Sequence, residues 1–253
     1  MVQLSIITPV YNSVQFIESC INNVIDQKCP QAEHIIIDGG STDGTLEIIK
    51  NYATRYSHIR WVSEKDKGQS DAMNKGIKMA KGEILGFLNA DDGYLAFTLI
   101  RILTIFNKIT KSPFIVGNCK FLDENRDLIY INRPKRIKHY HLYSNKEPFP
   151  INPVAYFYKK SIHDTIGFYT IDNHFNMDYE FIMKSCLLFD MVYFNEEWGY
   201  VVSHEGAKSL IDTNNNELQA RKQAIYKQLY QQCPIKIKIL ANIYKLLFLF
   251  IKK

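Results

Sequence analysis

The first part of the chain repeats one pattern. A short apolar run rich in β-branched residues is followed by a polar turn, then by a longer stretch with apolar residues at helical spacing. Leu4 to Thr8 is such a run, ended by Pro9, and from Val14 to Gln27 the residues Phe16, Ile17, Cys20, Ile21, Val24 and Ile25 recur three or four apart. Glu33 to Ile37, Ile59 to Val62, Ile84 to Leu88 and Phe114 to Gly117 read as further strands. Thr45 to Tyr56, Ser70 to Ala80 and Leu95 to Phe106 read as the helices between them, with Gly82 where a C-terminal cap belongs. Strand and helix alternating on such short connections predict an α/β fold: a mostly parallel sheet flanked by helices, with right-handed crossovers. Ligands of such sheets bind beyond the carboxyl ends of the strands. Two polar clusters fall there, Asp38 to Gly44 and Asn89 to Gly93.

The later chain is less regular. Tyr130 to Pro153 mixes basic, aromatic and proline residues without a period; Val154 to Tyr158, Val192 to Asn195 and Tyr200 to Ser203 read as strands, and Asp178 to Leu188 and Glu217 to Gln232 as helices. A length of 253 residues fits one α/β body with a short appendage. The net charge of +5 lacks the cationic density of a nucleic-acid binder, so no nucleic-acid partner is expected. The five cysteines are odd in number and form no C-x-x-C pair, which argues against a disulfide framework or a structural zinc site. Residues 1–5 enter a strand-like run at once, with no secretion signal before it, so a cytoplasmic protein is expected.

Several acidic and aromatic residues carry two readings each. Adjacent Asp91 and Asp92 at a strand's end offer oxygen ligands to a hard divalent cation, yet Asp-Asp-Gly is also good turn chemistry. Asp38 can accept from an imide N–H of a nucleobase or simply open a tight turn, with Ser41, Thr42 or Asp43 capping the next helix. Tyr11 can stack on a base or pack against the body. Lys67, Gln69 and the helix start at Ser70 can approach a diphosphate, whereas Asp71 at that end suits sugar hydroxyls or a cap.

Taken together, Thr8-Pro9-Val10-Tyr11-Asn12, Ile35 to Thr45, Gly68 to Gly76, Ala80 to Ile84 and Leu88 to Asp92 occur in an order and spacing that resemble the family 2 glycosyltransferases, densely to about residue 95 and more sparsely to about residue 210. The resemblance implies the GT-A fold over residues 1–210, with a nucleotide-sugar half (1–118), an acceptor half (119–210) and a C-terminal helical extension (211–253). It implies an inverting, metal-dependent transfer from a nucleotide diphosphate sugar, UDP-linked, to a hydroxyl of a glycan or lipid-linked acceptor in bacterial polysaccharide, O-antigen or capsule assembly.

By position, Thr8, Pro9 and Tyr11 line the nucleoside pocket, Asp38 reads the base, and Asn89-Ala90-Asp91-Asp92 is the D-x-D region. Asp92 would ligate Mn2+ or Mg2+, Asp91 would hold the ribose or support the metal, and Asn89 stands where the strict pattern has an acid. Asp178, in Asn176 to Phe181, matches the catalytic base that single displacement requires, with Met177 in place of a frequent second acid. Its alternative is a helix N-terminal carboxylate favoured by the dipole. His204 is a further metal ligand or a structural residue; His139 and His141 read as solvated loop residues. In the tail, Lys238, Asn242, Lys245 and Lys252 are expected on one helix face opposite Leu240, Ile243, Leu247 and Ile251, which suits peripheral contact of 235–253 with the inner membrane face or packing on the body. Two other classes stay open: a sugar nucleotidyltransferase, whose Gly-rich basic loop is absent, and a binding module without turnover. No Walker A or G-x-G-x-x-G sequence supports ATP chemistry or hydride transfer.

Overall fold

The computed structural model describes residues 1–109, 112–146, 148–172, 176–204 and 216–251. Its strands are β1 (Leu4–Val10), β2 (Ala32–Asp38), β3 (Ile59–Ser63), β4 (Ile84–Phe87), β5 (Gly93–Tyr94), β6 (Phe114–Leu122), β7 (Leu128–Asn132), β8 (Tyr156–Lys159) and β9 (Met191–Val202). Its helices are α1 (Ile17–Ile25), α2 (Thr45–Arg55), α3 (Gln69–Met79), α4 (Thr98–Lys108), α5 (His139–Ser144), α6 (Ile162–Ile166), α7 (Met177–Leu188), α8 (Asn216–Gln232) and α9 (Ile235–Ile251). The expected boundary at 210 lies outside the described residues. The one at 118 falls inside β6, so the two halves share a continuous strand.

The strands form one sheet in the order β3-β2-β1-β4-β8-β6-β9-β5, with β7 also on β6. β1 to β4 pair in parallel, in the register of a doubly wound sheet. β8 is antiparallel to both β4 and β6, and β9 is parallel to β6. β6 and β9 therefore point the same way as β4, and their carboxyl ends share one edge with the loops after β1, β2 and β4.

Alternating side chains on β1 explain the double covering. Ile7 joins Ala72, Met73 and Ile77 of α3 on one face. Leu4 and Ile6 join Cys20 and Val24 of α1 and Leu99 and Ile102 of α4 on the other. Strands buried on both sides read as continuous apolar runs, which is what β4 shows. Gly82 is no helix cap: α3 ends at Ala80, and a Cβ on Gly82 would lie 2.7 Å from the carbonyl carbon of Leu4. Only glycine lets the chain re-enter the sheet that close to β1.

Three expectations for the later chain change. The two strands expected within 192–203 are one, β9 (Met191–Val202): Glu196 pairs with Arg101 and Glu197 with Lys120 and Arg133, so the two acids do not interrupt it. His139 and His141 are not loop residues: they open α5, and the His141 ring packs on Tyr244 of α9 at 4.7 Å between centroids. The polar face of α9 turns toward the body and not outward. Lys238 and Lys245 turn onto Tyr230 and Tyr226 of α8, Ile237 and Ala241 are buried, and the outward side is apolar. Lys252 lies outside the described residues. Among the described residues no helix is long and apolar enough to cross a membrane.

Candidate active site

The loops after β1 and β2 are stitched into one floor. Asn12, at φ 47°, donates its backbone N–H to the Ser41 hydroxyl at 2.8 Å and accepts from the Thr42 N–H at 2.9 Å. Asp43 accepts from the backbone of Val14 and Thr45 and from the Thr45 hydroxyl, so it is a structural clamp. Asp38 is fully buried at the end of β2. Its carboxylate accepts from the Ser63 hydroxyl at 2.6 Å, from the Ser41 hydroxyl, and from the backbone of Gly40 and Ser41. Direct reading of a base by Asp38 therefore requires one of these bonds to be exchanged for the ligand's N–H.

Thr8 and Pro9 are buried within β1, and Thr8 lies beneath α1 with its hydroxyl 2.8 Å from His34 Nε2. Tyr11, just past the end of β1, is instead 61% exposed.

The segment after β4 holds the densest polar network. Asp92 is buried, and its Oδ2 accepts from Asn89 Nδ2 at 2.8 Å and Asn152 Nδ2 at 3.0 Å. Burial first, and the neighbouring Asp91 carboxylate second, push the Asp92 acid up to about 8. A carboxyl held in such a place has only neutral amides to offset its charge, and a cation would offset it better. The end of β9 delivers His204, whose Nε2 is 3.1 Å from Asp91 Oδ2 and whose ring packs on Phe16 at 4.8 Å. His204, read from the sequence as a metal ligand or a structural residue, thus meets Asp91 directly. Among the described residues no group of three or more His, Cys, Asp and Glu side chains is gathered as a complete metal cage.

The start of α3 links this region to Asp178. Gln69 Nε2 donates to Asn89 Oδ1 at 3.0 Å, and Ser70 donates to Met177 Sδ at 2.9 Å, at the first turn of α7. Asp178 follows on that turn and accepts from the buried Tyr156 hydroxyl at 2.6 Å. Asp71 accepts from the Lys67 backbone at 3.1 Å and pairs with Lys75 at 3.6 Å, so it fixes the loop into α3. The Lys67 side chain is exposed. Glu180 turns away from Asp178 and binds Lys184 at 2.6 Å. A cavity of about 520 Å³ opens on that side of α7, with Thr170, Asp172, Glu180 and Lys184 facing Arg221 and Gln228 of α8.

Sequence reasoning missed Asn152 and Tyr156. Asn152 sits between Pro150 and Pro153, a placement typical of an ordered turn. In Tyr156-Phe157-Tyr158 the two tyrosines share one face of a strand, and their hydroxyls need buried partners.

A doubly wound half that ends in paired carboxylates, continued by a mixed sheet, is the architecture of GT-A glycosyltransferases. The chain belongs to the family described as glycosyl transferase family 2, whose model matches residues 5–167. It is 41% identical over 90 residues to the uncharacterized glycosyltransferase YibD of Escherichia coli K12, covering 36% of this chain and 26% of that protein. It is 30% identical over 188 residues to a PGL/p-HBAD biosynthesis glycosyltransferase of Mycobacterium bovis BCG, covering 71% and 68%. With the first curated relatives, YibD and EpsJ of Bacillus subtilis, the match spans only 26% and 35% of their length. Among solved structures, S. aureus TarS 1–349 in complex with UDP superposes at TM-score 0.66 with 19% identity, over 90% of this chain and 70% of that one. The mannosyltransferase PcManGT of Pyrobaculum calidifontis, in complex with GDP-Man and Mn2+, superposes at 0.66 with 18% identity, over 96% and 69%. At such identities these likenesses concern the fold.

Proposed function

We propose that the protein transfers a sugar, with inversion, from a UDP-sugar to a hydroxyl of a glycan or lipid-linked acceptor. The observation that carries this reading is the buried Asp92 at the sheet's carboxyl edge, beside the Asp91–His204 pair. Carboxylate oxygens of this kind suit Mn2+ or Mg2+, and Asp92 and Asp91 would hold it, with His204 as a further donor to Mn2+. A cation there supplies charge neutralisation to the departing diphosphate. The neighbour solved with GDP-Man and Mn2+ and the one solved with UDP support a nucleotide-sugar donor and a metal.

The nucleoside lies over the floor of residues 11–14 and 38–45, under Tyr11. Lys67 and the start of α3 face the diphosphate. Asp178 takes the proton of the attacking hydroxyl, and Tyr156 fixes the carboxylate that does so.

The test is release of nucleoside diphosphate from a panel of sugar nucleotides, with Mn2+ or Mg2+ against EDTA, for wild type and Asp92→Ala. Metal-dependent release from one UDP-sugar, lost in Asp92→Ala, is the expected result. UDP and metal that bind without any turnover, acceptor included, would return the chain to a binding module. Failure to bind UDP with metal overturns the reading.

A further inference from the structure

α9 is a two-faced helix whose outer face the body leaves uncovered. Ile237 and Ala241 are buried, and Tyr244 packs on His141 and accepts from Arg136 at 2.6 Å, so one side is seated on α5 and the segment before it. The other side carries Ile235, Ile239, Ile243, Leu246 and Leu247, each between 48% and 75% exposed. Spacings of three and four residues hold these five on one arc of the helix.

Charge decides what covers this face. Residues 235–251 contain Lys236, Lys238 and Lys245 and no acidic residue. The segment leading into α5 adds Lys135 and Lys138, both exposed like Lys236. Lys236 falls inside the apolar arc itself, next to the line of Ile239 and Ile243. Lysine is depleted from the centre of protein interfaces, and a second copy would set like charges against one another. At a bilayer the same lysine lays its stem along the apolar row and lifts its ammonium to an anionic headgroup. A 17-residue helix with a buried inner face lies in the surface plane and does not cross it.

We propose that the outer face of α9, with Lys236 within its apolar arc and the exposed Lys135 and Lys138 on the neighbouring segment, seats the protein on an anionic lipid surface. The surface is argued independently of the catalytic reading; it rests on that reading only in that a lipid-linked acceptor would be met there.

The test is co-sedimentation of the full chain with vesicles of phosphatidylcholine alone or mixed with phosphatidylglycerol. Wild type is expected to bind the anionic vesicles, to bind neutral ones weakly, and to be released by salt. Ile239→Gln, Ile243→Gln and Leu246→Gln combined should abolish binding, and a thermal melt unchanged from wild type shows that the fold is kept. Lys135→Ala with Lys138→Ala should weaken binding about fivefold per lysine, roughly 25-fold together. UDP release measured without vesicles should match wild type in both variants, so a catalytic failure and a membrane failure are seen separately. Absent or charge-indifferent vesicle binding overturns the proposal. So does a wild-type dimer that the triple variant converts to monomer, since a second copy would then own the face.

Discussion

Metal affinity is expected to rise with pH until about 8, and Asp92 sets that limit. Burial and the Asp91 carboxylate hold the Asp92 acid up near about 8, whereas an ordinary aspartate sits near 3.9. Between these values the metal-free protein keeps a proton that an arriving cation must displace. One competing proton costs about tenfold in apparent affinity per pH unit, so Mn2+ with UDP should bind roughly 100-fold more weakly at pH 6 than above pH 8. The same proton fixes the sign for stability. The folded state retains it after the unfolded chain has released it, so without metal the fold loses stability as pH rises from about 4 to about 8. The slope from this group reaches about 1.4 kcal/mol per unit. Asp92→Asn removes that contribution and isolates it from other titrating groups. Calorimetric titrations at pH 6, 7 and 8, each in two buffers of different ionisation enthalpy, count the released proton; urea melts in EDTA of wild type and Asp92→Asn give the stability difference. Equal affinities at pH 6 and pH 8 with no proton released would refute the reasoning.

Three more outcomes follow from individual contacts. Asp178→Asn should cut transfer by roughly 10²- to 10⁴-fold while leaving UDP affinity within about twofold; matched losses of both would make Asp178 a structural helix-start residue. Tyr156→Phe removes a hydrogen bond to a carboxylate worth about 1.5–3 kcal/mol. With that bond gone kcat/KM should fall while UDP affinity is kept, and an unchanged kcat/KM with lower stability would leave Tyr156 as packing alone. Gly82→Ala places a methyl 2.7 Å from the Leu4 carbonyl carbon and should destabilise the fold by about 1–3 kcal/mol in urea melts; a change under about 0.5 kcal/mol would show that the loop relaxes freely.

What could be read from the sequence is what short segments decide for themselves. β1, β2, β4 and α1 to α4 announce themselves because these strands are buried on both faces and each helix on one, so their apolar patterns are strong. β7 gives no such signal: Leu128, Ile129 and Tyr130 are 45–57% exposed, and the strand is held by its pairing with β6. The same limit governs the site. Asp38, Asp91 and Asp92 stand in turns whose composition marks them. The partners that set their chemistry come from far along the chain. Asp91 and His204 are 113 residues apart, and Ser70 and Met177 are 107 apart. Those pairings follow from the strand order, which local periodicity does not encode.

The start of α3 shows how the two levels join. Sequence reasoning treats Gly68 to Gly76 as a segment that approaches a ligand, and its glycines and helix start are legible as such. In the fold it is also the junction between the metal-motif region and the helix of the acid. Gln69 reaches Asn89, Ser70 reaches Met177, and Asn74 bonds the backbone of Tyr169 in both directions at 2.9 Å. Met177 is thereby used: its sulfur receives the Ser70 hydroxyl inside the core, a place where a carboxylate would carry a desolvation cost. The acid that this turn can offer is Asp178, one residue on, held by the Tyr156 hydroxyl.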